Sequence, residues 1–318
     1  MKNRVVHALP LIVSVLILLQ YLFVPNFRKF TPLDQNAPTD LFAWVMAFFI
    51  LVFFLWNILV SFWSAAEKKL RLRAPIYTAA LVLLLLYDWA TLKSGILPQP
   101  FVPWPDAILN AIIRDREILV SAVTHSLRLL FTGYSIGVAA GIITGVTAGW
   151  SKSIRYWVQS VVKVLSSIPP VTWLPIILVL ASSLFGGAVF LIALAVWCPV
   201  TSTTMNGVLS VPKSTFEAAK TFGVTSIGMI FKVALPASSP FIFQGLTQGM
   251  SVACTALLIA ELMGVEAGLG WYINQQRGWA EFAGMYGAIV IICVTFLVVN
   301  AVLNIIRRRV LHWKEGEV

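Results

Sequence analysis

Long apolar runs without charge are the feature that most constrains this chain. A helix needs about 17 to 25 apolar residues to cross the hydrocarbon core of a bilayer. Charged residues make up 11% of the chain, against about a quarter in soluble domains. We therefore predict an all-α integral membrane protein with about eight transmembrane helices, at residues 8–24, 41–63, 76–92, 126–149, 157–182, 187–208, 240–262 and 285–306.

The polar residues exclude several other classes of protein. The net charge is +10, but Lys and Arg lie between the apolar runs rather than on one face, which argues against nucleic-acid binding. Cys198, Cys254 and Cys293 fall inside apolar runs without a CxxC pair, and the histidines lack HExxH spacing. The one GxSxG sequence, GYSIG at 133–137, lies in the middle of an apolar run and not at a strand-to-helix turn. We predict no catalytic residue and no metal site.

The first apolar run has two interpretations. It has the charged start and apolar core of a signal peptide, but Gln20, Tyr21 and Phe23 are bulky where a cleavage site needs small residues. We expect an uncleaved first span. Eight spans place both termini on one side of the membrane, and the distribution of loop Lys and Arg predicts that this side is the cytoplasm.

The stretch FEAAKTFGVTSIGMIFKVALP, between the sixth and seventh spans, has the signals of short water-exposed helices. Ser214 and Glu217 form an S-x-x-E capping box, which predicts a helix start. Gly223 suits the left-handed position that ends that helix. Thr225 is expected to cap a second short helix, which Pro236 stops before the next span.

We call residues 214–236 the bracket. The simplest interpretation is that it only connects two spans. However, a connection longer than about 12 to 15 residues usually has a function, and an ordered helix-glycine-helix segment outside the bilayer suits docking.

The bracket also carries a family motif. Glu217-Ala218-Ala219, then Gly223, then Val233-x-Leu235-Pro236 resembles the EAA motif, EAA-x3-G-x9-I-x-LP, of membrane subunits of ATP-binding cassette (ABC) importers, with Val for the usual Ile. Three further stretches resemble the nitrate, sulfonate and taurine branch of that family: ILPQPFVPWPDAIL (96–109), IPPVTWLP (168–175) and AELMGVEAGLGWYI (260–273).

The resemblance implies a domain organisation. Residues 76–310 would form a type I ABC importer permease core, with coupling helices at about 214–236. Residues 1–75 depart from the usual six-span pattern, because they add two N-terminal spans and a basic cytoplasmic loop. Residues 311–318 would form a cytoplasmic tail.

The resemblance also implies partners. The bracket would sit in a cleft of a cytoplasmic ABC ATPase, with the coupling residues Glu217, Ala218, Ala219, Gly223, Leu235 and Pro236 at or near the contact. Glu217 has the alternative role of completing the capping box. This chain has no Walker A sequence, so ATP and Mg would be bound by the ATPase, and no cofactor by this chain.

The implied assembly lies in a bacterial inner membrane. It contains an extracytoplasmic solute-binding protein and a second permease copy, either identical or similar. The solute would be small and anionic, like a sulfonate or nitrate, and its choice would depend largely on the binding protein.

Three patterns within the spans suggest roles. A glycine at every fourth residue predicts a packing face, within the chain or against another subunit: Gly133, Gly137, Gly141, Gly145 and Gly149. A polar stripe along the seventh span either lines the translocation pathway or makes interhelical hydrogen bonds: Gln244, Gln248, Ser251 and Thr255. Prolines in the fifth span predict a kink that is either a gate or a simple bend, at Ser166, Ser167, Pro169 and Pro170.

Two rival functions follow from the class of protein. An ion-coupled secondary transporter places ionisable residues near the bilayer midplane, whereas here they map toward span ends: Asp88, Arg128, Lys163 and Glu261. For Glu261 we expect capping or an external salt bridge. The second rival is a membrane-embedded enzyme, but the sequence lacks the nucleophile, metal-binding and acid–base residues that such an enzyme needs.

Overall fold

The computed structural model describes residues 2–27, 37–62 and 64–311, and the regular structure of these residues is helical. The chain divides into two compact units, Met1–Arg116 with Gln275–Ile289, and Glu117–Asn274 with Val290–Val318. Two five-residue π-helical turns, Trp89–Lys93 and Ile230–Ala234, accompany the α-helices. The α-helices are α1 (Lys2–Phe23), α2 (Leu41–Phe62), α3 (Ser64–Asp88), α4 (Pro105–Arg114), α5 (Arg116–Trp150), α6 (Lys152–Ser166), α7 (Pro170–Leu180), α8 (Leu184–Ser210), α9 (Lys213–Thr221), α10 (Ser226–Met229), α11 (Leu235–Met263), α12 (Leu269–Gly278) and α13 (Phe282–Val310).

Within the described residues, six helices are long and apolar enough to cross a membrane, or up to seven if a bent pair counts as one span. The first predicted span forms the shorter apolar helix Ala8–Phe23. The six helices long enough to cross are Leu41–Leu59, Arg73–Lys93, Arg116–Trp150, Leu184–Ser210, Ser226–Met263 and Phe282–Val310.

The span predicted at 157–182 is broken. The axes of Lys152–Ser166 and Pro170–Ile177 differ by 92°, so the kink predicted there is a sharp bend between α6 and α7. Pro169 is extended (ψ 138°) and Pro170 opens α7, where its missing N–H costs no helical hydrogen bond.

In the first unit, two buried charges cap the ends of helices. Lys93 Nζ donates to the Tyr21 and Val24 carbonyl oxygens, each at 2.8 Å, at the end of α1. The Asp106 carboxylate accepts the backbone N–H of Phe42, at 2.8 Å, at the start of α2. Both side chains therefore complement the dipoles of the helices they cap. The functional boundary near residue 75 stays a prediction, as does the tail, most of which lies outside the described residues.

In the second unit, the glycine face of α5 packs against α8. A methyl group added at Gly141 would lie 2.8 Å from Val200 Cβ, and one at Gly137 would lie 2.6 Å from the Ala193 carbonyl oxygen. The glycines all face residues of α8, so α5 approaches α8 with bare backbone. Of the two packing partners expected for this face, the structure shows one within the chain. Because lipid is as apolar as the side chains, helices in a membrane associate through such close contacts and not through the hydrophobic effect.

The small-residue face of α11 packs against the same helix. A methyl group at Gly249 would lie 3.2 Å from both Val196 Cγ1 and Val200 Cγ2. The Tyr134 hydroxyl of α5 donates to the Leu246 carbonyl oxygen of α11 at 3.0 Å. Helix α8 is therefore held by close contacts from both α5 and α11.

Glu261, near the end of α11, is buried and caps α12. Its carboxylate accepts the Gly270 backbone N–H at 2.8 Å and the Ser126 hydroxyl at 2.6 Å. The Ser126 hydroxyl oxygen in turn accepts the Leu269 N–H at 2.9 Å. Of the two roles expected for Glu261, the structure shows capping, and the carboxylate joins α5, α11 and the start of α12.

The glycine face predicts the response to added bulk. Gly141→Leu should lower the free energy of unfolding in detergent by at least about 1–3 kcal/mol, because the added side chain would clash with Val200. The matched control is Ala139→Leu, whose position is exposed, and it should leave the melting temperature unchanged. Equal losses in both variants would contradict tight packing at Gly141.

The buried carboxylate gives a second prediction. Glu261→Ala leaves the Ser126 hydroxyl and the Gly270 N–H without their acceptor, so we expect the free energy of unfolding to fall by about 2–3 kcal/mol. Thermal unfolding in detergent measures this loss. Glu266→Ala, at an exposed position nearby, serves as the control. A melting temperature that is the same in both variants would show that the cap contributes no stability.

Candidate functional site

The first helix of the bracket, α9, begins differently from the prediction. It starts at Lys213 with Pro212 as its N-cap, and no side chain caps it. The capping box predicted at Ser214 and Glu217 is therefore wrong. Pro212 has the extended conformation (φ −60°, ψ 141°) that an N-cap needs, so the helix begins at once and Ser214 lies inside its first turn.

Gly223 ends α9 as predicted. Its φ is +73°, the left-handed region that favours glycine. The Gly223 N–H donates to the Lys220 carbonyl oxygen at 3.0 Å, and the Val224 N–H donates to the Ala219 carbonyl oxygen at 3.2 Å. This pair of bonds is a Schellman motif, which satisfies the last carbonyl groups of α9 and fixes the turn to α10.

The second helix runs on into the next span. The Thr225 hydroxyl accepts the Gly228 N–H at 3.2 Å, which confirms the predicted cap. Pro236 does not stop the helix, contrary to the prediction. It lies at the start of α11, directly after a π turn in which the Leu235 N–H donates to the Ile230 carbonyl oxygen, five residues back. The early helical position tolerates the missing N–H of proline.

The inner side of the bracket packs on an apolar cluster. Val146, Val208 and Ala234 are buried there, and Phe216 packs against them. The Phe216 ring also meets the Trp150 ring edge-on, with centroids 5.8 Å apart and planes at 76°. Sequence reasoning missed this pair, because no local signal links residues so far apart in the chain.

The outer side of the bracket is exposed. Phe222, Ile227 and Phe231 are exposed by 87%, 70% and 65%, although all three are large and apolar. Glu217 and Ala218 are exposed, and Ala219 and Leu235 are half-buried. Within the described residues, the Glu217 side chain makes no hydrogen bond or ion pair. Three lysines in or next to the bracket are also exposed, at Lys213, Lys220 and Lys232.

The polar stripe of α11 lies opposite its packed face. All four stripe residues are exposed, at Gln244, Gln248, Ser251 and Thr255. The small residues on the other face are all buried, at Gly245, Gly249, Ala253, Ala256 and Ala260. The hydroxyls of Ser251 and Thr255 donate to backbone carbonyl groups one turn back within α11.

A cavity of about 210 Å³ lies at the bend between α6 and α7. Of the four residues predicted there, Ser166 and Pro170 line it, while Ser167 and Pro169 are exposed outside it. Sequence reasoning missed most of its lining, which includes Trp173, Cys198, Pro199 and Ser202. The stripe residues do not line this cavity.

No chemistry beyond binding is indicated by these residues. The described part of the chain contains no group of three or more His, Cys, Asp or Glu that could hold a metal ion. The site consists of a rigid exposed bracket, an exposed polar helix face and a small cavity at a broken span.

The chain is similar in sequence to permease subunits of importers. The chain is 28% identical over 248 residues to the nitrate import permease protein NrtB of Leptolyngbya laminosa, covering 75% of this chain and 88% of that protein. It is 25% identical over 269 residues to the taurine transport system permease protein TauC of Escherichia coli, covering 79% of this chain and 96% of that protein.

A solved structure shares the fold. A chain of the MetNI methionine ABC transporter, in an inward-facing conformation, matches with a TM-score of 0.55 and 21% identity, covering 62% of this chain and 98% of that chain. The core is therefore that of a type I importer.

The family model is the more specific finding. Residues 137–313 match the model described as "Binding-protein-dependent transport system inner membrane component". Such permeases are transport subunits without enzymatic activity, and a separate ATPase is their partner. This chain belongs to the family of binding-protein-dependent transport system inner membrane components, as an ABC importer permease of the nitrate, sulfonate and taurine branch.

Proposed function

We propose that this permease moves a small anionic solute inward by alternating access, with the bracket seated in a cleft of a cytoplasmic ABC ATPase. In this proposal the coupling contact is formed by Glu217, Ala218, Ala219 and Gly223, with Leu235 and Pro236 at the junction to α11. Closure of the ATPase around its nucleotides then moves the bracket. ATP and Mg bind to the partner and not to this chain.

The observation that carries the proposal is the two-sided character of the bracket. Its inner side packs on the apolar cluster of Val146, Val208 and Ala234. Its outer side exposes Phe222 by 87%, and an apolar ring of this size is costly to leave in water and typical of a binding surface. The Schellman motif at Gly223 makes the segment ordered rather than a tether.

Glu217 is assigned to the contact for a related reason. The capping role that competed with docking is absent, because α9 starts before Ser214 and no side chain caps it. An exposed carboxylate without a partner in the described chain is free to pair with a cation of the ATPase.

We assign the polar stripe of α11 to the translocation pathway. Polar side chains are costly in lipid and usually face protein or water, yet Gln244 and Gln248 are exposed on this subunit. A second permease copy, identical or similar, would complete the pathway beside them. Ser166, Ser167, Pro169 and Pro170 would form a gate at the bend between α6 and α7.

The solute class rests on the relatives. NrtB and TauC are named for nitrate and taurine, which are small and carry oxygen-rich anionic groups. The side-chain amide groups of Gln244 and Gln248 are donors suited to such oxygens. The family description implies a solute-binding protein, which would deliver the solute from outside. We place the complex in a bacterial inner membrane with both termini of this chain in the cytoplasm.

The bracket turn gives a test of docking. Gly223 has open space around it, so Gly223→Val introduces no clash but costs about 1–2 kcal/mol in the left-handed region. We expect normal membrane insertion but weaker co-purification of the ATPase. Gly278→Val is the matched control, because Gly278 also has open space and lacks a positive φ.

Glu217→Lys tests the same contact without strain in the backbone. We expect the permease to insert normally, ATPase co-purification to weaken and uptake to be lost. If both Gly223→Val and Glu217→Lys keep normal uptake and normal co-purification, the docking proposal is wrong.

The stripe is tested with Gln248→Leu. The change removes hydrogen-bonding capacity from an exposed position, so uptake of radiolabelled taurine or nitrate should fall while the amount of protein stays constant. Gln159→Leu, on the exposed surface of α6, is the control. A parallel fall in uptake and protein amount would show that the stripe is structural.

A further inference from the structure

We propose that the Phe216–Trp150 ring pair is the joint that transmits displacement of the bracket to α5, which makes Phe216 a positioning residue for transport. The inference rests on the proposed function, in which an ATPase moves the bracket. It goes further by naming the contact through which that movement reaches a helix outside the bracket.

The bracket is joined to its neighbours in two different ways. The chain itself joins it to α8, through Val211 and Pro212, and to α11, through the π turn. Helix α5 is not continuous with it, so movement of the bracket reaches α5 through packing, either by way of α8 or directly from side chains of the bracket. The edge-to-face pair, with centroids 5.8 Å apart, supplies such a contact.

The pair acts on a stiff end of α5. Trp150 is the last residue of that helix. The Arg155 guanidinium donates to the Ala148 carbonyl oxygen at 3.1 Å and to the Gly149 carbonyl oxygen at 2.8 Å, so it caps the same end. A push on the Trp150 ring is therefore not absorbed by fraying of the helix terminus.

The same end of α5 leads directly to the cavity. Helix α6 begins at Lys152, directly after the Ser151 N-cap, and ends at Ser166, which lines the cavity. Movement of the end of α5 thus carries α6 with it. This gives a continuous path from the bracket to the bend where the span is broken.

Phe216 in α9 and Phe222 at its C-cap have different surroundings. Phe216 is half-buried and packs on the inner cluster, whereas Phe222 is 87% exposed on the outer side. We assign Phe222 to association with the ATPase and Phe216 to transmission. Substitutions at the two positions should therefore have separable effects.

The experiment measures transmission without a known solute. The probe is the rate at which N-ethylmaleimide alkylates Cys198, whose thiol lines the cavity, in a chain carrying Cys254→Ala and Cys293→Ala. The permease is purified in nanodiscs with the ATPase encoded beside it. The rate is compared with and without Mg-ATP and vanadate.

We expect ATP and vanadate to change the alkylation rate in the parent complex by about five-fold or more, the lower end of coupling between distant sites. In Phe216→Leu and Trp150→Leu the change should fall below about two-fold, with the same amount of ATPase bound. The double variant should lose no more than either single variant, because the two rings act as a pair.

Two further variants guard against a merely structural effect. The exchanged pair, Phe216→Trp with Trp150→Phe, keeps two rings at the joint and should restore the response. Trp157→Leu removes an exposed tryptophan whose ring also meets a neighbour edge-on, Tyr156 at 5.5 Å, and should keep the full response.

The outcomes separate this inference from the proposed function. A full response in both leucine variants would overturn the joint and leave docking intact. Loss of ATPase binding in those variants would also overturn it, because Phe216 would then belong to the docking surface. If the leucine variants do not fold, failure of the exchanged pair to respond overturns the joint. If the parent chain binds no ATPase or shows no response, the proposed function fails and the joint with it.

Discussion

The close approach of α5 and α11 to α8 is the interaction on which the second unit depends. Lipid is as apolar as the side chains, so burial of apolar surface cannot hold helices together in a membrane. Bare backbone at Gly141 and Gly249 lets α8 come within contact of both neighbours. A core packed in this way has little room to deform. The broken span and the bracket lie outside this tightly packed region.

The bracket has an ordered conformation. Its turn is fixed by hydrogen bonds around Gly223, and its inner side is fixed by the cluster that Phe216 joins. Its outer apolar side chains have no partner in the described chain. The proposed docking role and the proposed transmission role therefore fall on different sides of one segment of about twenty residues.

Residue patterns predicted the periodic features well. The glycine face, the two-sided α11 and the left-handed Gly223 all follow from spacing along one helix or turn, and the structure shows each geometry. Predictions of helix ends from capping residues and prolines failed where an adjacent residue or turn shifted the helix end. With Pro212 as its N-cap, α9 starts before the predicted capping box, and after a π turn the helix continues through Pro236. The Phe216–Trp150 pair and the cavity lining arise from long-range packing, which spacing in one sequence does not encode.

The π turn at Ile230–Ala234 also sets the angular phase of everything beyond it. Each residue of an α-helix advances by about 100° around the axis, and a π turn holds one residue more than the α-helical count. Taking up that extra residue would turn α11 by nearly a third of its circumference relative to the bracket. The side of the helix on which Gln244 and Gln248 are presented is thus fixed by a single residue of register in this turn.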